Sequence, residues 1–156
     1  MAIKILLAID DSENAIRAVE FVADTFTTDS RITLFNVVQD TATMCEMNSP
    51  ELTPYFTSQQ SSFCLLEEKK KDLVTKALQK SKTILVDAGF VEKNITVKAE
   101  LNKNGVARDI IKEAQSDYNL IVMGKRGVSG IKDFLLGSIS QKVFSLAKDI
   151  SVLFVN

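Results

Sequence analysis

The sequence predicts an α/β fold, a doubly wound parallel sheet of five strands with helices on both faces. Two observations carry that prediction. Strand-like and helix-like stretches alternate five times along the 156 residues, and successive parallel strands need crossover connections, which helices supply. The first strand-like stretch, Ile3 to Ile9, is a nearly continuous apolar run of the kind buried on both faces of a sheet. At this length a hydrophobic share of 46% suits one core, so residues 1–156 are expected to form a single domain.

The elements follow in order. After Asp10-Asp11-Ser12, apolar residues recur at Ala15, Ala18, Val19, Val22, Ala23 and Phe26, one face of a helix, with Asp11 or Ser12 placed to cap it. Residues 31–38 are β-branched and aromatic and make the second strand. From Gln39 to about Ser62 both prolines, Pro50 and Pro54, sit among Thr, Ser, Asn and Gln, which reads as a long loop serving as a lid, an interface or a mobile segment. A helix is expected from about Phe63 to Ala88, with Leu66, Leu73, Ala77, Ile84 and Ala88 on its apolar side and Gly89 as its left-handed stop. Glu67 and Lys71 pair at i,i+4, so the charge run 67–72 reads as a solvated helix surface.

Residues 95–101 are the third strand, and Asn104-Gly105 opens a helix with Val106, Ala107, Ile110, Ile111 and Ala114 on one side. A fourth strand, Leu120 to Met123, runs directly into glycine. The last helix, about Ser138 to Ala147, turns Ile139, Val143, Leu146 and Ala147 inward, and residues 151–155 close the chain as the fifth strand.

Charge and composition remove several functions. Nineteen Lys plus Arg against twenty Asp plus Glu leave a net charge of -1, which disfavours general nucleic-acid binding. The chain has no histidine, which removes imidazole bases, Ser-His-Asp and Cys-His nucleophiles and His metal sites. Cys45 and Cys64 form no CxxC pattern and are expected to be reduced thiols. No apolar run reaches the roughly 20 residues that span a bilayer, and the start lacks a signal-peptide pattern, so no membrane association and a cytoplasmic location are expected.

In a doubly wound sheet, ligands bind beyond the carboxyl ends of the strands. Four of the six glycines, Gly124, Gly127, Gly130 and Gly137, fall between the fourth strand and the last helix. Glycine lets backbone N–H groups approach a ligand closely, and Gly137-Ser138-Ile139-Ser140 opens a helix whose free N–H groups and dipole favour an anion. GxxxxGK[ST] and GxGxxG are both absent, so neither a P-loop nor an ordinary dinucleotide fold is read. Two plainer readings stay open here: the glycines make a tight strand-to-helix connection, and Asp10 is a helix cap. Lys125 and Arg126 read as exposed loop charges.

With Gly124-Lys-Arg-Gly127, nine residues and then Gly137-Ser138, the chain resembles the universal stress protein family over essentially its full length, reproducing that family's ATP-binding pattern G-x2-G-x9-G-[ST]. Ile5 to Asp10 and Leu120 to Gly124 resemble its first and fourth strands. The resemblance implies a sheet order of 3-2-1-4-5 and an ATP site, with Mg2+ accompanying the nucleotide. It sets Ala8, Ile9 and Asp10 beside adenine and ribose, Val37 on the adenine, and Met123 and Gly124 along the ribose. Gly127, Gly137, Ser138, Ile139 and Ser140 would hold the phosphates through N–H and hydroxyl groups. It also implies a homodimer through the edge strand 151–155, which as an uncovered apolar edge is otherwise a pairing hazard. The chain departs from the family at Ser151, where proline is common, at Asn36, where histidine is frequent, and at Asn119, where aspartate is frequent.

The functional expectation is an ATP-binding stress-response or regulatory protein that acts as a nucleotide-dependent homodimer, with no or very slow hydrolysis. The alternatives are a slow metal-assisted ATPase and a dimerisation module with little use for nucleotide. A phospho-acceptor domain, suggested by Asp10-Asp11, needs an aspartate after the third strand, and Glu100-Leu-Asn-Lys-Asn104 supplies none.

Overall fold

A computed structural model describes residues 2–41, 45, 53–125 and 136–156. Five parallel strands form one sheet: β1 (Lys4–Ala8), β2 (Arg31–Val38), β3 (Ile95–Leu101), β4 (Leu120–Gly124) and β5 (Ser151–Val155). Their order is β3-β2-β1-β4-β5, the order that the resemblance implies. β1 is central, with Leu6 level with Thr33 of β2 and Ile121 of β4. Among the described residues the strands are connected by the helices α1 (Glu13–Thr25), α2 (Pro54–Asp87), α3 (Val106–Ala114) and α4 (Ser138–Leu146).

The alternation of side chains along each strand divides the core in two. Ile5, Leu7, Ile32 and Leu34 pack with Ala18, Val19 and Val22 of α1 and Leu78 and Leu85 of α2. Leu6, Phe35, Ile121 and Met123 pack with Ala107, Ile110 and Ala114 of α3 and Val143 of α4. Strands read as continuous apolar runs are thus apolar because each face meets its own pair of helices.

Three sequence expectations change. The helix expected from Phe63 begins at Pro54: proline fits a first helical position, where its missing N–H costs nothing, and Thr53 Oγ1 caps the turn by accepting the Phe56 N–H at 3.2 Å. Residues 54–62 are therefore helix and not loop. Secondly, α2 faces inward through Leu78, Ser81 and Leu85, whereas Leu66, Leu73 and Ala88 are exposed. On α4, likewise, Val143 and Ser140 are buried while Ile139 and Leu146 stand exposed. Thirdly, Cys45 and Cys64 are not free thiols but a disulfide. The early start of α2 places Cys64 on its third turn, where the chain leaving β2 passes.

The amino ends of the strands are closed by the chain itself. Lys4 N–H donates to Asn119 Oδ1 at 2.8 Å, and Asn119 N–H returns a bond to the Lys4 carbonyl at 2.9 Å. The Lys4 ammonium also pairs with Asp117, holding that carboxyl below the usual carboxylate range. Asn119 thus does with an amide oxygen what an aspartate would do there with a carboxylate.

Candidate functional site

The carboxyl ends of β1, β2 and β4 open onto a cavity of about 570 Å³. Its size falls in the range of small-molecule sites. Ala8, Ile9, Asp10, Val37, Met123, Gly124, Gly137, Ser138, Ile139 and Ser140 all line it. Gly127, like Arg126 and Gly130, lies outside the described residues.

The floor is fixed by backbone. Ile9 N–H donates to the Phe35 carbonyl at 2.8 Å, and the buried Asn36 amide donates to the Ile9 carbonyl at 2.7 Å. Asn36 therefore holds the exit of β1 against β2 where the family often carries histidine. Beyond Ile9, Asp10 Oδ1 accepts the Ser12 N–H at 2.8 Å and also the Ser12 hydroxyl. Ser12 Oγ in turn accepts the Ala15 N–H at 3.2 Å and caps α1. Asp10 is thus a buttress of the cap through Oδ1, and the residue also lines the cavity. Next to it, Asp11 Oδ1 is enclosed and has no hydrogen-bond partner among the described residues. A buried acceptor without a donor is costly, which makes this oxygen a natural partner for a ligand donor.

Gly124 is required by space. A Cβ there would sit 2.8 Å from Asn14 Cβ and 3.0 Å from the Asn14 backbone, so β4 ends flush against α1. The Gly124 carbonyl accepts the Ser140 hydroxyl at 3.0 Å, which fastens α4 to β4. This corrects one detail of the expected cradle: the Ser140 hydroxyl proton is already engaged, and so is the Gly137 N–H, which donates to the Lys125 carbonyl at 2.9 Å. What remains at the opening of α4 is the N–H groups of Ser138, Ile139 and Ser140 and the exposed Ser138 hydroxyl. No side chain caps this helix and its first turn has no acid. Among the described residues nothing compensates the positive end of its dipole.

Sequence reading missed the opposite wall. Glu67, Lys70, Lys71, Val74, Thr75 and Leu78 of α2 line the same cavity, so part of the charge run read as solvated surface borders the site. Their spacing of three and four was a usable signal, hidden by placing the helix's apolar face one residue off. Asp11 entered the sequence reading as a possible cap and in the excluded phospho-acceptor pair, not as a lining residue of this cavity. Among the described residues no group of three His, Cys, Asp or Glu could hold a metal ion.

The sequence model of the universal stress protein family matches residues 1–156. The universal stress protein YxiE of Bacillus subtilis (strain 168) is 35% identical over 82 residues, which are 52% of this chain and 51% of that protein, so the alignment spans about half of the relative. Among solved structures, hypothetical protein MJ0577 superposes with a TM-score of 0.72 at 23% identity, covering 99% of this chain and 96% of its own. A universal stress protein solved in complex with cAMP superposes with a TM-score of 0.62 at 16% identity, covering 100% of this chain and 98% of its own. At these identities the structural matches show the fold alone.

Proposed function

We propose, from the premise that this chain belongs to the universal stress protein family, that it is an ATP-binding regulatory protein of the stress response that works as a nucleotide-dependent homodimer. The observation that carries the reading is the start of α4: an uncapped, acid-free helix N-terminus that borders a cavity ending at Asp10. Free N–H groups at a helix dipole's positive end favour phosphate. The apolar β2 exit at Val37 suits a purine, and the Asp10 carboxylate suits ribose hydroxyls. A cAMP-bound relative supports an adenine nucleotide as the ligand class.

With no three-acid cluster among the described residues, Mg2+ would arrive on the nucleotide's phosphates, its usual mode of binding. Hydrolysis is read as absent or slow. Rate enhancement needs a group that positions water or neutralises developing charge, and the α4 opening offers Gly, Ser, Ile and Ser. Among the described residues the further acids on the cavity, Asp11 and Glu67, come from the α1 and α2 sides. The dimer is read at β5, an edge strand whose Phe154 packs on Phe144 at 6.4 Å between centroids, with Phe144 itself 65% exposed.

Calorimetric titration with ATP, ADP, AMP and cAMP in Mg2+ tests the reading. ATP is expected to bind most tightly, because it alone extends a triphosphate to α4. Absence of binding by all four at millimolar concentration sinks it. Steady-state turnover above about 1 per second would remove the regulatory reading in favour of an ATPase. Sedimentation with and without ATP reads the dimer.

A further inference from the structure

We infer that Cys45–Cys64 is a reversible redox clasp that sets how firmly α2 forms its wall of the cavity, and through it how long a nucleotide stays. The inference rests on the nucleotide reading above for its ligand, though not for its mechanics.

The disulfide joins Cys45, after β2, to α2, and both β2 and α2 border the cavity. Cys45 follows six residues after Gln39, and Val37, Val38 and Gln39 at the exit of β2 line the cavity. Cys64 stands on α2 in the same stripe as Glu67, Lys71, Val74 and Leu78, at steps of three and four residues, which puts all five on one helical face. The bond therefore ties the β2 exit to the face of α2 that borders the ligand space.

What makes the tie consequential is how few apolar side chains of this half of α2 are buried among the described residues, Val74 and Ala77 at its end being partly buried against the core. From Pro54 to Ala77 the buried residue is Gln60, and the strong packing begins at Leu78, followed by Ser81 and Leu85. Tyr55, Leu65, Leu66 and Leu73 are all more than half exposed. A thinly packed helical stretch of this kind is marginal on its own and opens locally at low cost. Cross-linking it to the chain after β2 removes many of those open states.

The chemistry is closed and two-electron. A dithiol attacks one sulfur as its thiolate, forms a mixed disulfide and resolves it with its second thiol. The protein gains two thiols, and the reductant leaves as its own disulfide with two electrons and two protons transferred. In the other direction a hydroperoxide oxidises the Cys45 or Cys64 thiolate to a sulfenic acid. The second thiol then displaces water, giving the disulfide, an alcohol or water from the peroxide, and one further water. Where thiols are kept reduced, pairs of this kind are usually transient and sensing. Coupling is reciprocal: if the bond tightens ATP, then ATP shifts the thiol–disulfide balance toward the bond by the same factor.

Hydrogen exchange of the full chain, oxidised with hydrogen peroxide or reduced with dithiothreitol, reads the clasp without any nucleotide. Amides of residues 60–75 are expected to exchange faster when reduced, with β1 and β4 unchanged. ATP is expected to dissociate about tenfold faster from the reduced form, within the usual span of coupling. Cys64→Ser and Cys45→Ser, neither of which lines the cavity, should match the reduced form and ignore peroxide. Equal exchange in the two states, or thiols that still react with iodoacetamide after peroxide, overturns the clasp. Different exchange with equal ATP dissociation overturns its effect on the nucleotide. If neither form binds ATP, the nucleotide reading fails together with that effect, and the exchange comparison still decides the clasp.

Discussion

Two corners of this sheet are built alike and finished differently. β3 leads to α3 and β4 leads to α4, each helix opens on a glycine, and neither has a side-chain cap. At α3 the corner is closed from within. Asp109, 8% exposed, stands in the first turn and accepts the N–H groups of Lys103 at 2.8 Å and Asn104 at 3.2 Å, while Asn102 Oδ1 accepts the Gly105 N–H at 2.8 Å. At α4 the first turn holds no acid, and among the described residues the Gly137 N–H and the Ser140 hydroxyl are the groups engaged. The same local device yields a structural corner where the sequence supplies a carboxylate and, in the function proposed above, an anion site where it does not. A ligand phosphate at α4 would bring to that corner the negative charge that Asp109 brings to the corner of α3.

The largest expected effect tests the wall on which the open corner leans. Gly124→Val forces methyl groups into the Asn14 backbone, against which even a Cβ is too close. Overpacking of that kind costs about 3 kcal/mol, a fall of roughly 6–12 °C in thermal midpoint for a chain of this size. A midpoint within a degree of the parent would mean that α1 yields freely and that Gly124 is needed for something other than packing.

The two corners can then be exchanged. Asp109→Ala strips the closed corner of its acceptor and should cost about 2 kcal/mol, the worth of hydrogen bonds to a buried charge, while leaving ATP affinity within about twofold. Gly137→Asp gives the open corner an anion of its own. It should hold or slightly raise the thermal midpoint, as capping and the helix dipole both favour a carboxylate there. ATP affinity should fall at least about tenfold, a loss of 1.4 kcal/mol. Calorimetry at constant salt reads both variants. Unchanged affinity in Gly137→Asp would break the equivalence of the two corners.

How far the sequence carried these distinctions depends on the kind of signal. β2, β3 and β5 match their expected bounds because dense β-branched runs leave little choice of structure. The glycines and serines of the α4 corner were legible because their chemistry is local. Asp109, Asn36 and Asn119 were not singled out for the bonds they make. Each ties together backbone groups whose nearness exists only after folding. The front of α2 was missed for another reason: Thr57 to Ser62 is polar and its helix is short of buried apolar residues. It is bonded to Cys45, and the Cys45–Cys64 disulfide has no spacing rule to reveal it.

The smallest expected effect separates the far ends of the same two helices. Glu113 near the end of α3 takes two bonds of 2.9 Å from the Lys98 ammonium and one of 3.2 Å from the Tyr118 hydroxyl, whereas α4 has no charged residue in its last turn. The bond to Glu113 raises Lys98 above its ordinary 10.5, and burial raises Tyr118 above its ordinary 10.0. In both cases the folded state keeps its proton to higher pH than the unfolded chain. Their contribution is therefore whole below about pH 10 and fades as pH climbs through the raised values. Lys98 is 39% exposed, so solvent screening keeps the pair's share below about 1 kcal/mol. The thermal midpoint should stay level from pH 6 to 9, as a chain without histidine has little to titrate there, and then decline. Glu113→Gln should flatten part of that decline by returning Lys98 toward its ordinary value. A midpoint that already falls between pH 6 and 9 would assign the pH dependence to some other group, and α3 would then be no more self-contained than α4.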